Sequence, residues 1–206
     1  PGDWKDRYIS LVFEGVYPSA KVFLNGKEIG GCTYGYSQFE VPLGGTIPDS
    51  MNEVSVIVDN SNLPNSRWYT GAGIYRPVWL IEGNVSHISW GGIRITTLSW
   101  EEGKIRVETS YEGKGTVFVE ILDGTMIVAS KEGEDITVTI PEAKLWDADH
   151  PYLYTCRIFL KDGIRILDWE ELKFGVRQIF WGTEGFFING NRVLLKGGCI
   201  HHDNGI

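Results

Sequence analysis

The sequence predicts an all-β protein built from two successive β-sandwiches. Segments rich in β-branched and aromatic residues recur along the 206 residues. Acidic-glycine or Asn-Gly pairs separate these segments at intervals of about ten residues, which is the spacing of strands and turns in sandwich proteins. No segment shows the 3.6-residue apolar period of an amphipathic helix. The apolar fraction of 42% is large enough for a substantial core.

The first predicted domain spans residues 1–83. The Asn25-Gly26 pair predicts a two-residue hairpin turn, because both positions of a type I′ turn need positive φ angles. Residues 61–73 are rich in Asn, Ser, Pro and Gly and are predicted to form an irregular loop. Residues 21–30 are predicted to form the Asn-Gly hairpin, and the predicted strands of the domain are residues 8–15, 39–41, 54–60 and 73–81.

The second predicted domain spans residues 84–180 and follows a shift in composition at Glu82-Gly83-Asn84. Its turn spacing predicts a seven-stranded immunoglobulin-like sandwich. Tyr154 lies two residues before Cys156, as in a tyrosine corner, and Trp146 is a candidate core residue. The segments read as strands are residues 88–97, 104–111, 116–122, 136–140, 153–160 and 172–177.

The last segment, residues 181–206, contains a second Asn-Gly hairpin at Asn189-Gly190. A hairpin without further strands cannot bury a core of its own. We therefore expect this segment to be the beginning of a third domain.

Composition excludes several classes of function. The net charge of −8 argues against binding to nucleic acid through phosphates and to anionic membrane surfaces. No stretch approaches the roughly 20 apolar residues of a membrane span, and no targeting segment is visible. The compartment stays open between the bacterial cytoplasm and periplasm.

The cysteines and histidines do not predict a metal centre. The three cysteines are far apart in the sequence and are interpreted as independent thiols. His201 and His202 are adjacent, and neighbouring side chains of an extended segment point to opposite sides. We expect no metal and no cofactor.

The segment from Ser66 to Trp79 is the densest in aromatic residues, arginine and glycine. Arg67, Trp68 and Tyr69 are the side chains in it that favour a sugar-binding surface. Aromatic rings stack on the apolar face of a sugar, and their polar tips can bind its hydroxyl groups.

Four short segments along the chain, together with residues 73–78, resemble segments of glycoside hydrolase family 2, the β-galactosidase and β-glucuronidase group. Each is weak by itself, but their order along the whole chain is specific. The four segments are residues 22–26, residues 56–60, residues 174–177, and residues 187–190 with Leu195-Lys196-Gly197 and His201.

The resemblance implies a jelly-roll-like sugar-binding domain that is incomplete at its N-terminus, an immunoglobulin-like domain, and the first hairpin of a (β/α)8 barrel. It also implies the non-catalytic portion of a retaining β-glycosidase, with a β-galactosidase preferred. The parent enzyme would hydrolyse terminal β-linked sugars from oligosaccharides or glycosides. Its acid/base and nucleophile carboxylates would lie beyond residue 206, so no catalytic residue is expected in this chain. Formation of a homo-oligomer stays open.

The resemblance also implies roles for single residues. Arg67, Trp68 and Tyr69 would face the mouth of the active site and contact substrate, and the alternative is that the two rings wedge the domains together. His201 would reach into the sugar pocket. Arg76 would be a buried structural residue at the domain junction, paired with a carboxylate such as Asp59.

Two other classes of function remain as alternatives at this stage. One is a free-standing carbohydrate-binding module, and the other is an immunoglobulin-like adhesion or structural protein. The residues do not distinguish a galactoside from a glucuronide or a mannoside.

Overall fold

The computed structural model describes residues 4, 6–47, 50–61 and 71–199. Every regular element in these ranges is a β-strand, so the all-β prediction is confirmed. None of the described residues belongs to a helix that could span a membrane. The chain divides into two compact units, and we call the described residues up to Asn84 unit 1 and Val85–Gly198 unit 2.

Unit 1 contains short antiparallel sheets. Its strands are β1 (Arg7–Phe13), β2 (Val16–Tyr17), β3 (Ala20–Leu24), β4 (Lys27–Cys32), β5 (Phe39–Pro42), β6 (Val54–Val58), β7 (Gly73–Ile74) and β8 (Val78–Asn84). The sheet orders are β5-β1-β8 and β4-β3-β6, and a two-stranded ribbon joins β2 to β7.

The core of unit 1 forms where apolar residues alternate along β1 and β3. Phe13 stacks on Phe39 with their ring centroids 4.9 Å apart, and Val22 is fully buried. Asn25 and Gly26 have φ angles of 50° and 81°, so the predicted Asn-Gly hairpin between β3 and β4 is confirmed.

Unit 2 contains the longer strands. They are β9 (His87–Ser99), β10 (Lys104–Glu112), β11 (Thr116–Asp123), β12 (Met126–Glu132), β13 (Asp135–Thr139), β14 (Tyr154–Asp162) and β15 (Arg165–Phe174), followed by β16 (Ile179–Gly182), β17 (Gly185–Ile188) and β18 (Asn191–Val193). The first seven of these form two sheets, in the orders β13-β10-β9 and β12-β11-β14-β15.

The apolar faces of these two sheets contribute to one core, as in a sandwich. Ile105 of β10, Ile121 of β11 and Ile158 of β14 are all fully buried in it. The seven strands match the number that the turn spacing predicts. Strand β12 was not recognised from the sequence, because its residues alternate weakly and most of them are exposed.

The two aromatic residues expected to anchor this sandwich differ in burial. Tyr154 is 1% exposed, and its hydroxyl accepts a hydrogen bond from the backbone N–H of Lys144 at 2.8 Å, as a tyrosine corner requires. Trp146 is only half-buried, so its expected place in the core is wrong. Its side chain covers Gly175, where a Cβ atom would lie 2.5 Å from the Cβ of Trp146.

The last three strands form a small antiparallel sheet in the order β16-β17-β18. Asn189 and Gly190 have φ angles of 50° and 75°, which confirms the second predicted Asn-Gly hairpin. The large exposed apolar side chains on and after this sheet are Ile179, Phe180, Trp181, Leu194 and Leu195. That this segment begins a barrel stays a prediction.

Candidate functional site

The residues that the sequence singled out for sugar contact lie outside the described ranges. Arg67, Trp68 and Tyr69 fall in residues 62–70, and His201 falls in residues 200–206. Their roles therefore stay predictions. The described residues on either side of residues 62–70 nevertheless define a distinct surface of unit 1.

The buried ion pair expected between Arg76 and Asp59 is wrong, because both side chains are exposed. The Asp59 carboxylate instead accepts the backbone N–H of Ser61 at 2.9 Å. The Ser61 side-chain hydrogen bond, and then this backbone hydrogen bond, lower the pKa of Asp59. Arg76 places its guanidinium 6.0 Å from the ring centroid of Tyr75. Arg76 follows Tyr75 in the bend between β7 and β8, which leaves its side chain in solvent.

Residues 73–77 are hydrogen-bonded to residues 14–17, which follow β1. The β2–β7 ribbon pairs Tyr17 with Gly73. Beyond the ribbon, the N–H of Tyr75 donates to the carbonyl oxygen of Gly15 at 3.2 Å, and the N–H of Glu14 donates to that of Pro77 at 3.1 Å. These bonds fix the direction in which the Tyr75 side chain leaves the backbone.

Four tyrosines gather on this side of unit 1, and we call Tyr17, Tyr34, Tyr36 and Tyr75 the tyrosine cluster. The Tyr36 ring lies 5.2 Å from that of Tyr17 and 5.7 Å from that of Tyr34, between ring centroids. The Tyr75 hydroxyl donates to the carbonyl oxygen of Gly35 at 2.7 Å, in the turn between Tyr34 and Tyr36. Strands β2, β4, β5 and β7 thus bring residues far apart in sequence onto one surface.

Two glycines make this packing possible. A Cβ atom at Gly15 would lie 2.5 Å from Cζ of Tyr75, and one at Gly35 would lie 2.5 Å from Cδ2 of Tyr17. Both distances are far below van der Waals contact. The rings therefore occupy the space that side chains at these two positions would need.

Three members of the tyrosine cluster are largely exposed. Tyr34, Tyr36 and Tyr75 are 61%, 57% and 48% exposed. Partial burial, and then the neighbouring Tyr17 hydroxyl, raise the pKa of Tyr36 above its usual range. A phenol hydroxyl can both donate and accept a hydrogen bond, but the Tyr75 hydroxyl already donates to Gly35.

Sequence reasoning missed this cluster. The pattern Tyr34-Gly35-Tyr36 is visible as aromatic residues around a turn glycine, but its two other members are distant in sequence. The signal that could have found it is the repetition of tyrosine in loops rather than in strand interiors.

A tryptophan and a carboxylate lie on the neighbouring strands of the same unit. The indole Nε1–H of Trp79 donates to Oε1 of Glu14 at 2.7 Å, while 53% of the Trp79 side chain stays exposed. This hydrogen bond joins the end of β1 to β8 through side chains that are 65 positions apart.

The carboxylates of unit 2 serve structural hydrogen bonds. Asp168 accepts the N–H of Ile88 at 2.8 Å and that of Trp169 at 2.9 Å. Burial, and then the charge of Asp168, raise the pKa of Glu170. Both oxygens of Asp168 are thus committed to backbone donors, which leaves this pair unsuited to attack a sugar. Within the described ranges, no group of three or more potential ligand residues could hold a metal ion.

Comparison with protein-family models gives one match. The model described as glycosyl hydrolases family 2 matches residues 92–177, which lie within unit 2. The match begins within β9 and extends past the end of β15, so it covers most of the seven-stranded sandwich.

Whole proteins that resemble the chain cover both units. A β-galactosidase of Bacteroides ovatus, BoGH2A, is 32% identical over 95% of this chain and 26% of its own length. A β-glucuronidase of Bacteroides fragilis is 29% identical over 98% of this chain and 33% of its own length. The chain thus spans about a quarter to a third of these relatives.

Among solved structures, a β-glycosidase from Bacteroides vulgatus superimposes with a TM-score of 0.85 at 31% identity. The superposition covers 98% of this chain and 28% of that protein. The arrangement of strands described above is therefore shared with one part of a much longer enzyme.

Proposed function

Because the chain belongs to family 2 of the glycosyl hydrolases, we propose that it forms the non-catalytic part of a retaining β-glycosidase. The whole enzyme would remove terminal β-linked sugars from oligosaccharides or glycosides. This part would supply a scaffold and one wall of the sugar pocket.

The observation that carries the proposal is that almost all of this chain matches a glycosidase, while most of that glycosidase has no counterpart in this chain. The B. vulgatus β-glycosidase matches 98% of this chain, while the chain matches only 28% of that protein. Retaining hydrolysis needs two carboxyl groups about 5–5.5 Å apart, one as acid/base and one as nucleophile. We place both in the part of such an enzyme that follows this chain.

A β-galactoside is the preferred substrate. The 32% identity to the B. ovatus β-galactosidase supports this choice, while relatives described as β-glucuronidase, at 29% and 35% identity, support a glucuronide, so identity alone does not rank the two substrates. A glucuronide carries a carboxylate that a galactoside lacks. The two substrates are therefore separated by a direct rate comparison.

Each predicted domain has its own role in this proposal. Residues 1–83 would be the sugar-binding domain, residues 84–180 the immunoglobulin-like domain, and residues 181–206 the start of the catalytic barrel. The resemblance supports this assignment, since the four segments that resemble the family occur in that order along the chain.

Within the sugar-binding part, we assign substrate contact to Arg67, Trp68 and Tyr69, and we assign His201 to the same pocket. Asp59 and Arg76 keep a structural role next to the loop that carries the first three. The pairing of β7 with β2 and the backbone hydrogen bonds of Tyr75 and Pro77 support this assignment, because a loop that positions ligand contacts needs a rigid base.

The test is a comparison of this chain with the complete product of its gene. Both are purified and incubated with nitrophenyl β-galactoside, β-glucuronide and β-mannoside. We expect no turnover by the 206-residue chain and turnover by the complete product, fastest on the galactoside. Turnover by the chain that survives repurification would place catalytic groups within residues 1–206, and an inactive complete product would rule out a glycosidase.

The role of His201 is tested in the complete product by His201→Ala. Loss of a hydrogen bond to a substrate hydroxyl should lower kcat/KM by about tenfold or more. His150→Ala is the matched control, because His150 is an exposed histidine of unit 2. Equal rates for the two variants would remove His201 from the pocket.

The tyrosine cluster favours a second candidate, a carbohydrate-binding module without hydrolysis. Exposed aromatic rings suit a sugar surface whether or not catalysis follows. An inactive complete product that binds oligosaccharide would select this candidate.

A further inference from the structure

Two side-chain amides attach the β16-β17-β18 sheet to the seven-stranded sandwich within unit 2. In the described part of the chain, no strand of this sheet pairs with a strand of the sandwich, so no shared ladder fixes the angle between them. We propose that Gln178 and Asn189 form a joint that fixes this angle. Asn189 is then a positioning residue for the catalytic part that follows this chain, a role that rests on the proposed function.

Gln178 and Asn189 lie opposite each other at the end of the β16–β17 ladder. The N–H of Asn189 donates to the carbonyl oxygen of Gln178 at 3.0 Å, and the N–H of Gln178 donates to Oδ1 of Asn189 at 3.0 Å. This pair extends the ladder by one step beyond Ile179 and Ile188. The two side chains of the joint therefore start from neighbouring points on the small sheet.

The two side chains reach different parts of the sandwich. Nδ2 of Asn189 donates to the carbonyl oxygen of Trp146 at 3.0 Å, in the connection between β13 and β14. Nε2 of Gln178 donates to the carbonyl oxygen of Leu98 in β9 at 3.1 Å, and its Oε1 accepts the N–H of Trp100 at 3.4 Å. Attachment at two separate points prevents the rotation that a single hydrogen bond would allow.

Trp146 is itself held against the sandwich. Its N–H donates to the carbonyl oxygen of Val176 at 3.0 Å, and Val176 is fully buried. The guanidinium of Arg177 lies 4.7 Å from the centroid of the indole ring, whose opposite partner is the backbone at Gly175. The carbonyl group that accepts the Asn189 amide is therefore fixed relative to the sandwich core.

Asn25 shows the same local arrangement without such a joint. It has the same φ angle of 50°, and its N–H and Oδ1 pair with the backbone of Glu53 at 2.8 Å and 2.9 Å. Its Nδ2, however, donates to Oδ1 of Asn52 in an exposed hydrogen bond. Asn189 is only 6% exposed, so water cannot readily replace a partner that it loses. Asn25 is therefore the matched control for Asn189.

The joint separates two groups of residues that the proposed function brings to one pocket. Arg67, Trp68 and Tyr69 precede it in the chain, and the catalytic carboxylates would follow residue 206. The angle at the joint therefore contributes to the distance between the sugar contacts and the reacting groups. A misplacement of about 1 Å in such a site can cost about a hundredfold in rate.

Residual dipolar couplings of backbone amides in the 206-residue chain measure the angle. We expect one alignment tensor to fit both the sandwich and the β16-β17-β18 sheet in the wild type. Asn189→Gly removes the side-chain amide and keeps the positive φ angle, which glycine adopts freely. The couplings of the small sheet should then no longer fit the tensor of the sandwich, whereas Asn25→Gly should leave the fit unchanged. Wild-type couplings in Asn189→Gly would overturn the proposal.

Two further variants separate the points of attachment. Asn189→Asp keeps an oxygen that accepts the N–H of Gln178 but loses the donor to Trp146. Gln178→Ala loses the bonds to Leu98 and Trp100. Each variant should release the small sheet in the same measurement. Wild-type couplings in both would show that neither attachment fixes the angle and would overturn the joint.

Kinetics of the complete gene product test the positioning role. With the nitrophenyl glycoside that is turned over fastest, Asn189→Gly should raise KM and lower kcat/KM by about tenfold or more. Asn25→Gly should keep the wild-type constants. A residue that only stabilised the fold would reduce the folded fraction, and so the apparent kcat, without changing KM. An unchanged KM in Asn189→Gly would therefore overturn the positioning role.

The two measurements separate this inference from the proposed function. An active complete product, together with couplings and KM that Asn189→Gly leaves unchanged, would overturn the inference alone. An inactive complete product would overturn the proposed glycosidase, and the couplings would still decide whether Gln178 and Asn189 fix the angle.

Discussion

Replacing Tyr154 with phenylalanine tests whether the tyrosine corner stabilises unit 2. The side chain is 1% exposed, and its hydroxyl accepts the N–H of Lys144 at 2.8 Å. Tyr154→Phe leaves this partly buried N–H without its acceptor. An unsatisfied buried donor costs about 1–3 kcal/mol.

The assay is thermal unfolding followed by near-ultraviolet circular dichroism. For a unit of about 110 residues, each kcal/mol lowers the midpoint by about 4 °C. We therefore expect Tyr154→Phe to unfold about 4–12 °C below the wild type.

Tyr152→Phe is the matched control. The Tyr152 hydroxyl donates to Asp123, but the carboxylate of Asp123 also accepts Lys144 Nζ at 2.9 Å. Loss of the Tyr152 hydroxyl thus leaves Asp123 with a partner, and its effect should stay within about 1 kcal/mol. Equal losses in the two variants, or no loss for Tyr154→Phe, would refute the reasoning.

Three other changes test the two units. Burial raises the pKa of Cys156 to about 12, so this thiol should resist iodoacetamide in the native chain at pH 8 and react after unfolding, as followed by mass spectrometry. The hydrogen bond from Tyr152, and then the one from Lys144, lower the pKa of Asp123 in the folded chain. The ionised Asp123 therefore stabilises the fold above the unfolded pKa of about 3.9, and this stabilisation is lost as the pH falls through the lower folded pKa. Asp123→Asn should flatten this acid dependence in thermal scans from pH 6 to pH 2. A Cβ at Gly31 would lie 2.0 Å from the carbonyl oxygen of Ala20, so Gly31→Ala should destabilise unit 1 by about 1–3 kcal/mol in urea titrations, whereas Gly44→Ala, with no atom within 4 Å, should be nearly neutral.

The sequence alone determined the elements whose signals are local. The Asn25-Gly26 and Asn189-Gly190 turns were predicted because few residues other than Asn and Gly adopt the positive φ angles that such hairpins need. The turn spacing predicted seven strands in the second sandwich, since each strand must reverse where a glycine permits it. The order of short segments along the chain was also enough to predict the family.

Tertiary structure decided the features that depend on distant residues. The ion pair expected between Arg76 and Asp59 failed because burial depends on what the rest of the fold places over a side chain, and both of these are exposed. Trp146 and Tyr154 are both aromatic residues near a turn, yet only the second is fully buried, because β14 places it between the two sheets.

The tyrosine cluster is the clearest case of this division. Tyr17 and Tyr75 are 58 positions apart in the sequence, and the pairing of β2 with β7 brings them to the same side of unit 1, where Tyr17 contacts Tyr36 and Tyr75 contacts Gly35. Local periodicity carries no information about such pairings, since they are set by which strands find a common core. The sequence thus predicted most of the strands and the resemblance to the family, and the packing of the strands decided which side chains share a surface.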